Sequence, residues 1–201
     1  MPFVTTVRDG VTPSSIPADN LFHHSFVVSN YAADGGCLDN DDGSAWYHIY
    51  SNFCVAGGHK ADFDSHSKRS ENNLHAYASV YGSRCALVSA QYLPVAGYPE
   101  VYTGNTCILG DAGDAALDLP FQDAFTHQDV ANASEFQARF VSGGNTVYIP
   151  GGAAKGFGPF KTFADFVASG YELPGLPPST QNGTLPSPAE IIAMARALLF
   201  Q

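Results

Sequence analysis

Short apolar runs, broken every few residues by Asn, Asp, Gly or Ser, dominate this chain. Ser25-Phe26-Val27-Val28, Trp46-Tyr47-His48-Ile49-Tyr50 and Ala86-Leu87-Val88 carry the β-branched and aromatic residues that favour strands. The runs recur with a period. Val28-Ser29-Asn30-Tyr31, Tyr50-Ser51-Asn52-Phe53, Glu71-Asn72-Asn73-Leu74 and Tyr102-Thr103-Gly104-Asn105-Thr106 each place an Asn after a small or polar residue, at intervals of 22, 21 and 32. Asn145, in Gly144-Asn145-Thr146-Val147, copies the pattern of Gly104-Asn105-Thr106-Cys107 after 40 more residues. A unit of 21 or 22 residues holds two or three short strands with their turns, which excludes a helical hairpin. Such units predict a parallel β-solenoid in which each coil buries its inner face against its neighbours. One Asn per coil can then form a ladder of side-chain amides between adjacent coils. The 32-residue interval predicts an insertion around residues 90–99.

The pattern weakens after Asp118. Glu135–Val141 and Thr146–Ile149 still read as strands, separated by the turn signal Ser142-Gly143-Gly144-Asn145. Residues 163–169, preceded by Thr162 and closed by Gly170, predict a short capped helix. A Pro-rich linker runs from Leu173 to Pro188. It leads into the clearest helix of the chain, with Ser187 as N-cap, Pro188 at the first helical position and Glu190 completing a capping box. Ile191, Ile192, Ala195, Leu198 and Leu199 fall on one face, so this helix is expected to pack on the outside of the solenoid or over its end. The expected division is β-solenoid coils over 1–118, an irregular strand-containing extension over 119–160, and a helical cap with its linker over 161–201.

Composition sharpens this reading. Of 201 residues only 14 % are charged, against roughly 25 % in an average domain, while 45 % are hydrophobic; that supports a real core and excludes a disordered chain. The acids are 14 Asp to 5 Glu, with 20 Gly and 10 Asn, a turn-rich β composition. A net charge of -10 and no basic cluster larger than Lys68-Arg69 exclude a nucleic-acid partner, which needs a basic face. No run of about 18 apolar residues exists, so no membrane insertion is expected. The first ten residues have neither a basic nor an apolar signal region, so secretion is the expectation only if the chain is the C-terminal part of a longer precursor. Asn132-Ala133-Ser134 and Asn182-Gly183-Thr184 match the N-glycosylation tripeptide. The four cysteines show no CxxC spacing. Cys54 and Cys107 each stand two residues after a periodic Asn, so alternation turns both inward; buried free thiols are the first expectation and disulfides the second.

The candidate chemistry is acidic. Six of the 14 Asp lie between residues 34 and 64. Aligning the units on Asn52 and Asn73 stacks Asp41 on Asp62, Asp39 on Lys60 and Gly43 on Asp64, with backbones about 4.8 Å apart. Carboxylates so close raise the pKa of one member, giving an acid and a base together. Glycoside cleavage uses such a pair, about 5–5.5 Å apart for retention and about 6.5–9.5 Å for inversion. The stacked Asp41 and Asp62 are therefore a candidate carboxylate pair, with Lys60, His59, His66 and Trp46 as candidate substrate-binding residues. Polysaccharide β-elimination would need a cation to neutralise a uronate and a base to take the α-proton, roles open to Lys60, Lys68, Arg69, His59 and His66. No organic cofactor is implied. Asp39, Asp41, Asp42 and Asp64 offer oxygen ligands of the kind Ca²⁺ takes, but the Glu that completes an EF-hand loop is missing. His48 and His75 read as strand residues.

Three stretches carry a family resemblance: Leu38-Asp39-Asn40-Asp41-Asp42-Gly43-Ser44, Tyr47-His48-Ile49-Tyr50-Ser51-Asn52-Phe53 and Gly57-Gly58-His59-Lys60. With the tail from Ser187 to Leu199, the sequence resembles the right-handed parallel β-helix proteins of the pectate-lyase-like superfamily, over roughly residues 23–110. The resemblance implies an all-β right-handed parallel β-helix with a short C-terminal helix, acting on polysaccharide or oligosaccharide as a glycoside hydrolase, lyase or epimerase, with Asp41, Asp42, Asp62 and Asp64 as the catalytic residues. The alternative it leaves is a non-catalytic β-helix module for glycan binding or surface scaffolding. Family members have more coils than are legible here, so the chain is expected to be the C-terminal portion of a longer protein.

Overall fold

In the computed structural model, the described residues are 13, 16–28, 36–40, 44–61, 66–77, 84–88, 95–110, 115–118, 134, 137–152 and 163–200. Among these residues fifteen short strands form three sheets, all of them parallel. Sheet I contains β1 (Asn20–His23), β4 (Tyr47–Tyr50), β7 (Arg69–Glu71), β10 (Glu100–Thr103) and β13 (Phe140–Gly143) in that order. Sheet II contains β2 (Phe26–Val28), β5 (Phe53–Val55), β8 (Leu74–Ala76), β11 (Thr106–Ile108), β14 (Thr146–Tyr148) and β15 (Thr180–Asn182). Sheet III contains β3 (Leu38–Asn40), β6 (His59–Ala61), β9 (Arg84–Val88) and β12 (Ala115–Asp118). Through β14, successive strands enter the three sheets in rotation, and each pairs with the strand three places away. Among the described residues the chain is mostly β, with two α-helices, α1 (Phe163–Ala168) and α2 (Pro188–Leu199).

The corner between sheets I and II explains the periodic Asn. At each passage the residue before it has a positive φ: His24 (52°), Ser51 (53°), Asn72 (54°), Gly104 (65°) and Gly144 (67°). That left-handed step bends the chain sharply and turns the next side chain inward. Asn52, Asn73, Asn105 and Asn145 are all buried there. Asn52 Nδ2 donates to Asn73 Oδ1 (3.0 Å), Asn73 Nδ2 to Asn105 Oδ1 (3.1 Å) and Asn105 Nδ2 to Asn145 Oδ1 (3.4 Å). The same Oδ1 atoms accept from backbone amides, Asn52 N–H to Asn73 at 3.0 Å and Asn73 N–H to Asn105 at 2.9 Å. Each Asn thus satisfies corner groups that no strand can pair. At Gly104 the crowding is explicit, since a Cβ there would meet Asn72 Oδ1 at 2.3 Å.

The ladder's first member differs from expectation. Asn30 lies outside the described residues. The register of Phe26 opposite Phe53 sets Ser25 against Asn52, and its N–H donates to Asn52 Oδ1 at 3.0 Å. At the far end Ser179 Oγ accepts from Asn145 N–H, also at 3.0 Å. The sheets also run past Asp118, because β13 and β14 extend sheets I and II. Of the strand expected over 135–141, residues 135 and 136 lie outside the described residues and β13 opens at Phe140; Ala138 N–H donates to Ser134 O at 3.0 Å.

The cysteines correct the thiol expectation. Cys37 is bonded to Cys54 and Cys85 to Cys107, leaving none free. Their Cα separations of 6.1 and 5.9 Å are those of ordinary disulfides. Cys54 and Cys107 do turn inward, on either side of His75 in the register of sheet II, and their partners stand beside and within sheet III. Both bridges therefore cross the interior between the two sheets. A Cβ on Gly57 would lie 2.7 Å from Cys37 Sγ, so only glycine lets that bridge pass.

The opposite face of sheet II is apolar and covered by α2. Phe53, Leu74, Ala76 and Ile108 form one cluster with Ile191 and Ala195, with Met194, Leu198 and Leu199 at its margin. The helix starts as its sequence predicts: Ser187 accepts from Glu190 N–H, Glu190 reaches back to Ser187, and Pro188 opens the first turn. α1 and Gly170 (φ 77°) likewise match expectation.

Candidate functional site

Sheet III presents the register expected from the 21-residue alignment, with Asp39 opposite Lys60, Leu38 opposite His59 and Asn40 opposite Ala61. Alternation then separates two faces. Lys60 Nζ lies 3.4 Å from Asp39 Oδ1, with Asp39 41 % exposed and Lys60 only 5 %. Asp41, Asp42, Asp62 and Asp64, the four candidate catalytic residues, lie outside the described residues, as does Gly43.

His59 turns to the interior. Its Nε2 lies 3.0 Å from Asn40 Oδ1, while Nδ1 has no hydrogen-bond partner. Burial, with His75 and Lys68 nearby, pushes its pKa down to about 3. His75 is equally buried, has neither ring nitrogen bonded, and is pushed down to about 4 by desolvation. Lys68 and Glu100 complete a polar interior: Nζ lies 3.4 Å from Glu100 Oε1 and donates to Asn40 O at 3.3 Å, with both side chains 2 % exposed. Tyr102 lies within it too, and its buried hydroxyl is pushed to a higher pKa. His66 is fully buried, with Nδ1 3.1 Å from Ser67 Oγ and its ring edge-on to Trp46 and Tyr98. Burial lowers its pKa, Glu100 opposing and Lys68 reinforcing the shift. Trp46 is half-buried at a positive φ of 61°. Of the candidate substrate-binding residues, His59 and His66 are thus enclosed and Lys60 is held by Asp39.

Sequence reasoning missed a second group, on the outer face of sheet I. Tyr50 stands between two imidazoles, with His23 stacked at 4.7 Å and His48 tilted at 4.4 Å. His48 Nε2 lies 2.7 Å from Glu71 Oε2, which also accepts from Arg69 Nη2 at 2.8 Å. Arg69 Nη1 reaches Asp19 at 4.0 Å. A carboxylate that holds an imidazole and a guanidinium fixes both rings against solvent and offers donors and acceptors suited to a polyhydroxylated ligand. The signal was present in the sequence: the same 21-residue offset that stacks Asp39 on Lys60 stacks His48 on Arg69 and Tyr50 on Glu71, as the register has it.

Among the described residues no group of three or more His, Cys, Asp or Glu could hold a metal ion. A groove of about 500 Å³ runs between α2 and the corners, with Ser51, Asn72 and Thr106 on one side and Met194 and Leu198 on the other. No helix among the described residues is long and apolar enough to cross a membrane. No family model, curated protein or solved structure matches this chain.

Proposed function

We propose that the three sheets wind as one right-handed parallel β-helix of the pectate-lyase-like kind, and that the protein is a carbohydrate-active enzyme of the glycoside-hydrolase class. The rotation of strands among three parallel sheets supports the winding. The observation that carries the function is the register of Asp39 on Lys60. In sequence Asp41 and Asp62 stand at the same 21-residue offset, and we take them as the carboxylate pair that glycoside cleavage requires. Hydrolysis is favoured over β-elimination because elimination needs a cation to neutralise a uronate, and Lys60 on this face is paired with Asp39.

A second reading, a non-catalytic β-helix module that binds glycans, is supported by the enclosure of His59 and His66 and by the ordered polar cluster of His48, Tyr50, Arg69 and Glu71 on sheet I. A panel of neutral and acidic polysaccharides, assayed for reducing ends and for binding, separates the two. Turnover that Asp41→Asn abolishes with little change in Tm is expected of the enzyme. Turnover unaltered by Asp41→Asn refutes the Asp pair, and binding without turnover that Arg69→Ala removes establishes the module.

A further inference from the structure

The glycosylation tripeptides play no part in the reading above, and one of them sits where a modification can be reached. Asn182 ends β15, the last strand of sheet II, which pairs with β14. Its carbonyl accepts from Ile149 N–H at 2.9 Å, which fixes the backbone, while the residue is exposed. Gly183 and Thr184, the rest of the tripeptide, are exposed as well. The second, independent observation is the cysteine state. Two buried disulfides using every cysteine belong to a protein that folds in an oxidising compartment, where N-glycan transfer also takes place.

We propose that Asn182 carries an N-linked glycan. In the transfer, Asn182 Nδ2 forms the bond to C1 of the terminal N-acetylglucosamine of a polyprenyl-diphosphate-linked oligosaccharide. The C1–O bond to the diphosphate breaks, the diphosphate leaves with the electron pair, and the amide loses one proton. Thr184 supplies the hydroxyl that makes the tripeptide an acceptor.

The test is secretion of the full chain from a eukaryotic host behind that host's leader, with peptide mapping under non-reducing conditions. The expected result is both disulfides formed and the Asn182 peptide shifted by a hexosamine-containing glycan, a shift that peptide N-glycosidase and Thr184→Val each remove. An unmodified Asn182 in secreted, oxidised protein overturns the assignment, and accumulation of the chain only as reduced intracellular material overturns the compartment on which it rests.

Discussion

Acid should unfold this protein through its interior histidines. Free in an unfolded chain, a histidine titrates near 6.5, whereas His59 and His75 in the folded protein are held down to about 3 and about 4. Above pH 6.5 both are neutral folded or unfolded, and neither makes stability depend on pH. Below it the unfolded chain binds a proton at each site that the folded protein refuses, so stability falls as pH drops. Each group at full difference contributes about 1.4 kcal/mol per pH unit. From pH 7 to pH 5 that is about 2 kcal/mol per histidine, or about 4 kcal/mol for the pair. His66, shifted in the same direction, adds to the loss. Against the 5–15 kcal/mol of an ordinary domain this is a large fraction. Urea unfolding at half-unit steps of pH, with the slope of the transition constant, measures it. Uptake of two to three protons on unfolding is expected near pH 5, above the range where carboxylates titrate. His75→Leu, which removes one titrating site, should lower the uptake by about one. Stability that is level between pH 7 and pH 5 would refute the account of an interior that keeps these rings neutral.

The remaining predictions concern the elements that hold the stack together. Replacing Cys85 and Cys107 by Ala opens a bridge spanning 22 residues and should cost about 3 kcal/mol, read as a lower urea midpoint that reductant no longer changes at that bridge. Asn73→Ala strands the N–H of Asn52 and breaks the amide ladder at its middle, a loss of about 3 kcal/mol by thermal unfolding; a loss below about 1 kcal/mol would show that the ladder is dispensable. Ser187→Ala removes the cap of α2 and should cost about 1 kcal/mol, with earlier hydrogen exchange in α2 than in sheet II.

The sequence pattern by itself carried the periodic elements. Asn52, Asn73, Asn105 and Asn145 are legible because each corner needs one side chain that both donates and accepts, and little but Asn fits that position beside a left-handed residue. α2 is legible because its cap, proline and apolar stripe are all local signals. Even the pairing of Asp39 with Lys60 followed from the offset, since parallel strands in constant register convert sequence spacing into contact.

Tertiary structure alone decided what the periodicity is silent about. Cys54 and Cys107 point inward by alternation, but their bonding to Cys37 and Cys85 depends on how sheets II and III face each other across the interior. His59, His66 and Lys60 read in sequence as polar residues beside an acidic cluster. All three are buried, and Lys60 is in addition tied to Asp39. Ser25 took the ladder position that Asn30 was expected to hold, because the register of β2 on β5 follows from packing and not from residue type. Strand period is a property of the chain; what lies across the interior is a property of the fold.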